Sequence, residues 1–123
     1  MIDITDDLIR WAKEIEEFEG RVYRIYPQKN LAGKTYCIVT PTAHAPRLME
    51  DGQEVIADLG WTVQVIGKSP TTLDNLMEQL IHKYGGRNVL CEGITQGYNP
   101  DYRMYNTMAT FTATVDKRRM SFI

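Results

Sequence analysis

Two histidines, two cysteines and a scatter of carboxylates are the residues of this 123-residue chain that could do chemistry. A structural zinc site needs several thiolates or imidazoles at short spacings. His44 and His82 have no H-x-x-x-H or C-x-x-C companions, and His82 sits four residues after Glu78, the spacing of an ordinary helix-surface pair. Nucleophilic catalysis needs a nucleophile, a base and an orienting group within mutual reach. Cys37 or Cys91 with His44 is the only Cys–His combination, and both thiols lie in apolar runs that raise rather than lower a thiol pKa. Ser69 and Ser121 sit in no nucleophile-elbow pattern. The paired carboxylates Asp6-Asp7, Glu50-Asp51 and Glu14/Glu16/Glu17 fall in turns or on polar helix faces, where solvated charge explains them.

Two further motifs bear on phosphate and nucleic acid. Gly67-Lys68-Ser69 matches the end of a P-loop, but Gly60 lies seven positions before Gly67 where five are required, and Pro70 follows at once. The match is fortuitous. Lys117-Arg118-Arg119 is the one basic cluster, and it reads as a solvated tail. The net charge is −2, whereas a dedicated nucleic-acid binder draws its affinity from a basic excess. No catalytic residue, metal or cofactor is therefore expected.

These residues must be held by elements that can be read along the chain. Thr5, Asp6 and Asp7 open a helix whose apolar stripe is Leu8, Trp11, Ile15 and Phe18, and Gly20 closes it. A strand is predicted over 21–26 and ended by Pro27, with a polar turn from Gln28 to Lys34. Thr35 to Thr40 is apolar or β-branched throughout, the pattern of a strand buried on both faces. Pro41 to Gly52 is bracketed by two prolines and reads as an irregular excursion ending in an Asp51-Gly52 turn.

Gln53 to Ile66 alternates: Val55, Ala57, Leu59, Trp61, Val63 and Val65 face one way, with Gly60 marking a bulge or bend. Thr71 and Asp74 fit a capping box before a second helix with Leu73, Leu76, Met77, Leu80 and Tyr84 on one face and Gly85-Gly86 at its end. Asn88 to Thr95 is a strand, Gln96 to Asp101 a turn-rich stretch, and Tyr102 to Lys117 a long final strand.

The order α-β-β-β-α-β-β implies one α+β domain over residues 1–123, with two amphipathic helices packed on a mixed or mainly antiparallel sheet. Cys37 and Cys91, 54 residues apart, read as small buried hydrophobes that could pair only if their strands were neighbours. No signal peptide or membrane-length apolar run is seen, so a cytoplasmic protein is expected. The first half of the last strand carries large apolar side chains on both faces, the mark of a strand that either is buried on both sides or finds a partner.

The chain as a whole resembles the small tail-terminator, or tail-completion, proteins of long-tailed bacteriophages. The likeness lies in an N-terminal helix, Val22-Tyr23 with Pro27 nearby, the Asp51-Gly52 turn into Val63-Gln64-Val65, Lys68-Ser69 before Thr72-Leu73-Asp74, and a final strand ending at Val115-Asp116. The resemblance implies a non-enzymatic virion protein, assembled in the host cytoplasm. Such subunits form a ring, commonly a hexamer, on the last layer of the tail tube, where it stops polymerisation and presents a surface to head–neck proteins. Its partners would be further copies of itself, the tail tube protein and those head–neck proteins. DNA would pass through without specific binding, which a mildly acidic subunit suits because like charges repel.

A ring needs two different complementary patches on each subunit. The residues expected at such an interface are Arg47, Met49, Tyr98, Tyr102, Met104 and Tyr105. The alternatives are a small cytoplasmic α+β binding or regulatory domain and, less favoured by the residues, a small enzyme.

Overall fold

The alternation from Val55 to Val65 defines the centre of the molecule. The computed structural model describes residues 2–25, 31, 33–118 and the backbone of 121–122. Within them β3 (Gln53–Gly67) pairs antiparallel on one side with β2 (Tyr36–Glu50) and on the other with β5 (Met104–Asp116). β1 (Val22–Tyr23) lies parallel to β2, and β4 (Leu90–Asn99) lies antiparallel to β5, giving the order β1-β2-β3-β5-β4. A short β6 (Ser121–Phe122) also pairs with β5, past the end of β4. Two helices, α1 (Thr5–Lys13) and α2 (Pro70–Gly85), complete a mixed-sheet α+β fold. The elements follow the expected succession, with β6 added at the end.

Both helices lie on the sheet face that carries the odd-numbered residues of β3. Leu8, Trp11 and Ala12 of α1 and Leu73, Leu76, Met77, Leu80 and Tyr84 of α2 form one buried cluster with Val39, Trp61, Val63 and Phe111. Burying a Leu- or Phe-sized side chain contributes about 1.5–3 kcal/mol, so this single layer dominates folding. Among the described residues the opposite face carries a small cluster of Ile38, Ile66 and Met104.

Polar contacts aim the layer. Trp61 is buried, and its indole N–H donates to the Thr5 hydroxyl at 3.1 Å. That hydroxyl donates in turn to Asp3 Oδ1 at 2.6 Å, and the Thr5 amide donates to the same oxygen at 2.9 Å. Asp3, not Thr5, is thus the side chain that satisfies the start of α1, and the Thr5 hydroxyl serves the core instead. The Tyr84 hydroxyl donates to the Leu8 carbonyl at 2.8 Å and its ring meets Phe111 edge-on at 5.1 Å. The Arg87 guanidinium lies 4.5 Å over the Trp11 ring, and Lys83 pairs with Glu14 at 2.8 Å, tying α2 to the first helical segment.

Several expectations are corrected. The first helix does not run to Gly20: Ile15 is extended, a 3-10 turn spans Glu16–Phe18, and left-handed Glu19 and Gly20 reverse the chain into β1. Ser69 caps α2, accepting from the Thr72 amide at 3.3 Å with Pro70 in the first turn, so Thr71 and Asp74 make no capping box. After Gly85 and Gly86 the left-handed residue is Asn88.

The largest correction is Pro41 to Gly52, which is no excursion. Residues 41–50 continue β2 along β3 into a two-residue Asp51-Gly52 turn with both φ positive, the conformation an Asp-Gly hairpin favours. Beyond the short β1 this part of β2 is an edge strand, and register shifts fall between Pro41 and Ala43 and between Pro46 and Leu48. Edges and bulges are where a strand tolerates prolines. At the first of these shifts Ala43 lies opposite Gly60, where an added Cβ would meet Ala43 Cβ at 3.1 Å. β4 likewise runs through Gln96 to Asn99, where a turn had been expected. Tyr26, Pro27, most of the turn from Gln28 to Lys34, and Arg119 lie outside the described residues.

Two predictions follow the Thr5 hub. Thr5→Val leaves a buried indole N–H without an acceptor and should lower stability to urea by about 1–3 kcal/mol, while Thr5→Ser should retain most of it. Burial would raise the Asp3 carboxyl, but the Thr5 hydroxyl and amide and the Arg24 guanidinium outweigh it and bring its pKa from 3.8 to about 2. The folded-state pKa is depressed, so this stabilisation is present above pH 3.8 and is lost as pH falls toward about 2. Asp3→Asn should lower Tm at pH 6, and its gap from the parent protein should close across that acid window.

Candidate functional site

The register of the sheet places the exposed apolar residues at two corners. The Asp51-Gly52 hairpin stands at one end of the sheet on the β2 side, and the 100–103 turn stands at the other end on the β4 side. Arg47 follows Pro46, which pairs with Ala57, whereas Tyr98 pairs with Tyr105, which pairs with Gly67. The corners are therefore separated by about ten residues of β3, roughly 33 Å at about 3.3 Å per residue, and by three strand-to-strand spacings across the sheet.

The first corner carries Met49, 52% exposed, beside Arg47. Arg47 makes a loose pair with Asp58 at 3.6 Å, with both side chains about half exposed, an arrangement that contributes at most about 1 kcal/mol. The second corner carries Tyr98, 50% exposed, and Tyr102, 74% exposed. Tyr98 and Tyr105 pack with ring centroids 4.6 Å apart and planes tilted by 42°. Met104 differs from these. It is 6% exposed and packs on Ile38 and Ile66 beneath the sheet, so it offers a partner no free apolar surface. The expected arm with apolar residues on both faces is thus half absorbed by the chain's own packing. Arg47 and Met49 lie together at one corner, and Tyr98, Tyr102 and half-buried Tyr105 at the other.

The second corner continues into an unprotected edge. β4 ends the sheet, is exposed along nearly its whole length, and presents Leu90, Ile94 and Tyr98 with Glu92 as its one charge. It has no proline and no lysine, the residues that commonly blunt an edge. The outer half of β2 is the opposite case, with Pro41, Pro46, Arg47 and three register irregularities. Between α2 and β4 a cleft of about 330 Å³ is lined by Pro70, Asp74, Gln96, Tyr98 and Tyr105 among others. Gln96 Nε2 donates to Asp74 Oδ1 at 2.6 Å across it. The chain's alternation did not reveal the openness of β4, because Gln96, Gly97 and Asn99 read as turn formers. The sparse charge on Leu90–Asn99, Glu92 alone, was the available signal.

The groups first considered for chemistry are otherwise engaged. Burial pushes the Cys37 thiol far above its usual range, and Cys91 lies on β4, separated from β2 by both β3 and β5, so the cysteines cannot pair. His44 Nε2 meets Glu54 Oε1 at 2.7 Å, and the same oxygen accepts from the Ile2 amide at 2.6 Å. Burial would raise the Glu54 carboxyl, but these two contacts hold it below the usual range. Among the described residues no three His, Cys, Asp or Glu side chains converge as metal ligands. Arg118 is not a free tail charge: it forks onto the buried Asp116 at 3.2 Å and lies 3.9 Å from Glu50.

Comparison with known proteins adds no family: no family model matches the chain, and no curated protein matches it significantly.

The two classes of candidate separate by stability. Met104→Ala should cost about 2 kcal/mol or more in urea unfolding, as truncation of a buried side chain does. Tyr102→Ala should stay within about 0.5 kcal/mol, leaving any effect of this substitution to be read in association alone.

Proposed function

We propose that this chain is a non-enzymatic assembly subunit that associates head-to-tail into a ring, of the kind a phage tail terminator forms on the end of a tail tube. The observation that carries this reading is the pair of exposed corners. They differ in chemistry, one a methionine with an arginine and the other a tyrosine cluster, and they stand diagonally across one sheet. Two unlike patches on one body favour a heterologous contact, in which one patch of each copy meets the other patch of the next. Such contacts close into a ring when the rotation permits. The finer assignment, to a hexameric terminator that caps the tube and receives the head, rests on the resemblance carried by Val22-Tyr23, Asp51-Gly52 and Thr72-Leu73-Asp74.

A second reading is favoured by β4 alone. An open edge of ten residues with a single charge, Glu92, suits a binding domain that takes up one extended segment by strand addition.

Light scattering after size exclusion across a wide concentration range, followed by electron microscopy with and without tail tubes, separates the two. The ring reading expects a climb toward a closed oligomer, or recruitment to tube ends. A strict monomer that ignores tubes and binds an extended peptide would favour the domain reading.

A further inference from the structure

The cleft between α2 and β4 has an aromatic wall, Tyr98 against Tyr105, and an acidic rim at Asp74. Asp74 Oδ1 is taken by Gln96, and Oδ2 has no partner among the described residues. A carboxylate oxygen beside two tyrosine rings suits a guanidinium, which stacks on aromatic faces while donating in its own plane to a carboxylate. Arg103, with φ +52, lies on the adjoining turn at the cleft's own corner.

Most arginines of the chain are already committed. Arg10, Arg21 and Arg24 hold carboxylates at 2.7–2.8 Å, Arg118 forks onto Asp116, and Arg87 covers Trp11. Arg47 is the described arginine that is held only by a loose, half-exposed pair and stands away from the cleft. It cannot reach the cleft of its own chain, since the two lie at opposite corners of the sheet.

We propose that Arg47 of a second copy of this chain enters the α2–β4 cleft, its guanidinium over Tyr98 and Tyr105 and against Asp74. The exposed Met49 beside it then reaches the Tyr102 corner, a sulfur–aromatic contact. Each copy supplies the arginine at one corner and the cleft at the other, so the site is complete only between copies. This inference rests on the head-to-tail reading and specifies its lock.

The test uses the full chain in four forms: parent, Arg47→Asp, Asp74→Arg, and the double exchange, with thermal melts to confirm folding. Both side chains are at the surface, so the folded state should survive. Each single reversal should raise the concentration needed for association at least tenfold, and the double exchange should return it toward the parent value. Mixing the Arg47→Asp chain with the Asp74→Arg chain should restore association that neither shows alone, because every contact in an alternating assembly pairs opposite charges. If the parent associates and the single reversals associate equally well, this lock is wrong while the ring reading stands. If the parent remains monomeric at every concentration and on tail tubes, both fail together.

Discussion

A tryptophan at the middle of the central strand cannot be buried without an acceptor for its indole N–H, and much of the architecture follows from how that need is met. Trp61 lies on β3, the strand paired on both sides for most of its length. Its acceptor is the Thr5 hydroxyl in the first turn of α1. This sets α1 against the sheet. The position of α1 sets α2 in turn, through the Tyr84 hydroxyl on the Leu8 carbonyl and Arg87 over Trp11. Both helices end up on one face. The exposed apolar residues are left at two corners of the sheet and along β4, and these are the parts on which the proposed association draws.

How much of this was legible depends on whether a pattern had one physical cause. The Val55–Val65 alternation has only one, burial of a single strand face, and it identified the central strand and its inward residues correctly. The helix stripes of Leu8 and Trp11 and of Leu73 to Tyr84 were equally plain. Proline is ambiguous in sequence. Pro41 and Pro46 look like loop residues, yet an edge strand next to a bulge loses no ladder hydrogen bond to them. Glycine and asparagine misled in the same way at Gln96–Asn99, where the Tyr98–Tyr105 pair and the ladder to β5 outweigh local turn preference. Caps failed for another reason: Asp3, Thr5, Ser69 and Thr71 are all good N-cap types, and tertiary demand from Trp61 decided which one served the core.

The candidate interface was legible in kind but not in place. Large apolar residues near the end of the chain suggested a partner surface, and Tyr98 and Tyr102 are indeed exposed. The diagonal separation of that surface from Arg47 and Met49 is a property of strand order, which no local pattern encodes. The same holds for Met104, whose burial depends on Ile38 and Ile66 arriving from β2 and β3. Two unlike corners and an asymmetric pair of edges, one blunted by prolines and one open, are what the proposed head-to-tail association would use to give it a direction. That directionality is the claim on which the assembly reading turns.

It is tested most directly by a mixed cross-link. One preparation carries Met49→Cys and another Tyr102→Cys, both in a Cys91→Ser background, since Cys37 is buried and inert. The two are combined and treated with a short bis-maleimide. Head-to-tail association predicts a predominant product joining position 49 of one copy to position 102 of another. A predominance of 49–49 and 102–102 products, or of no cross-link at concentrations where the chain associates, would contradict it.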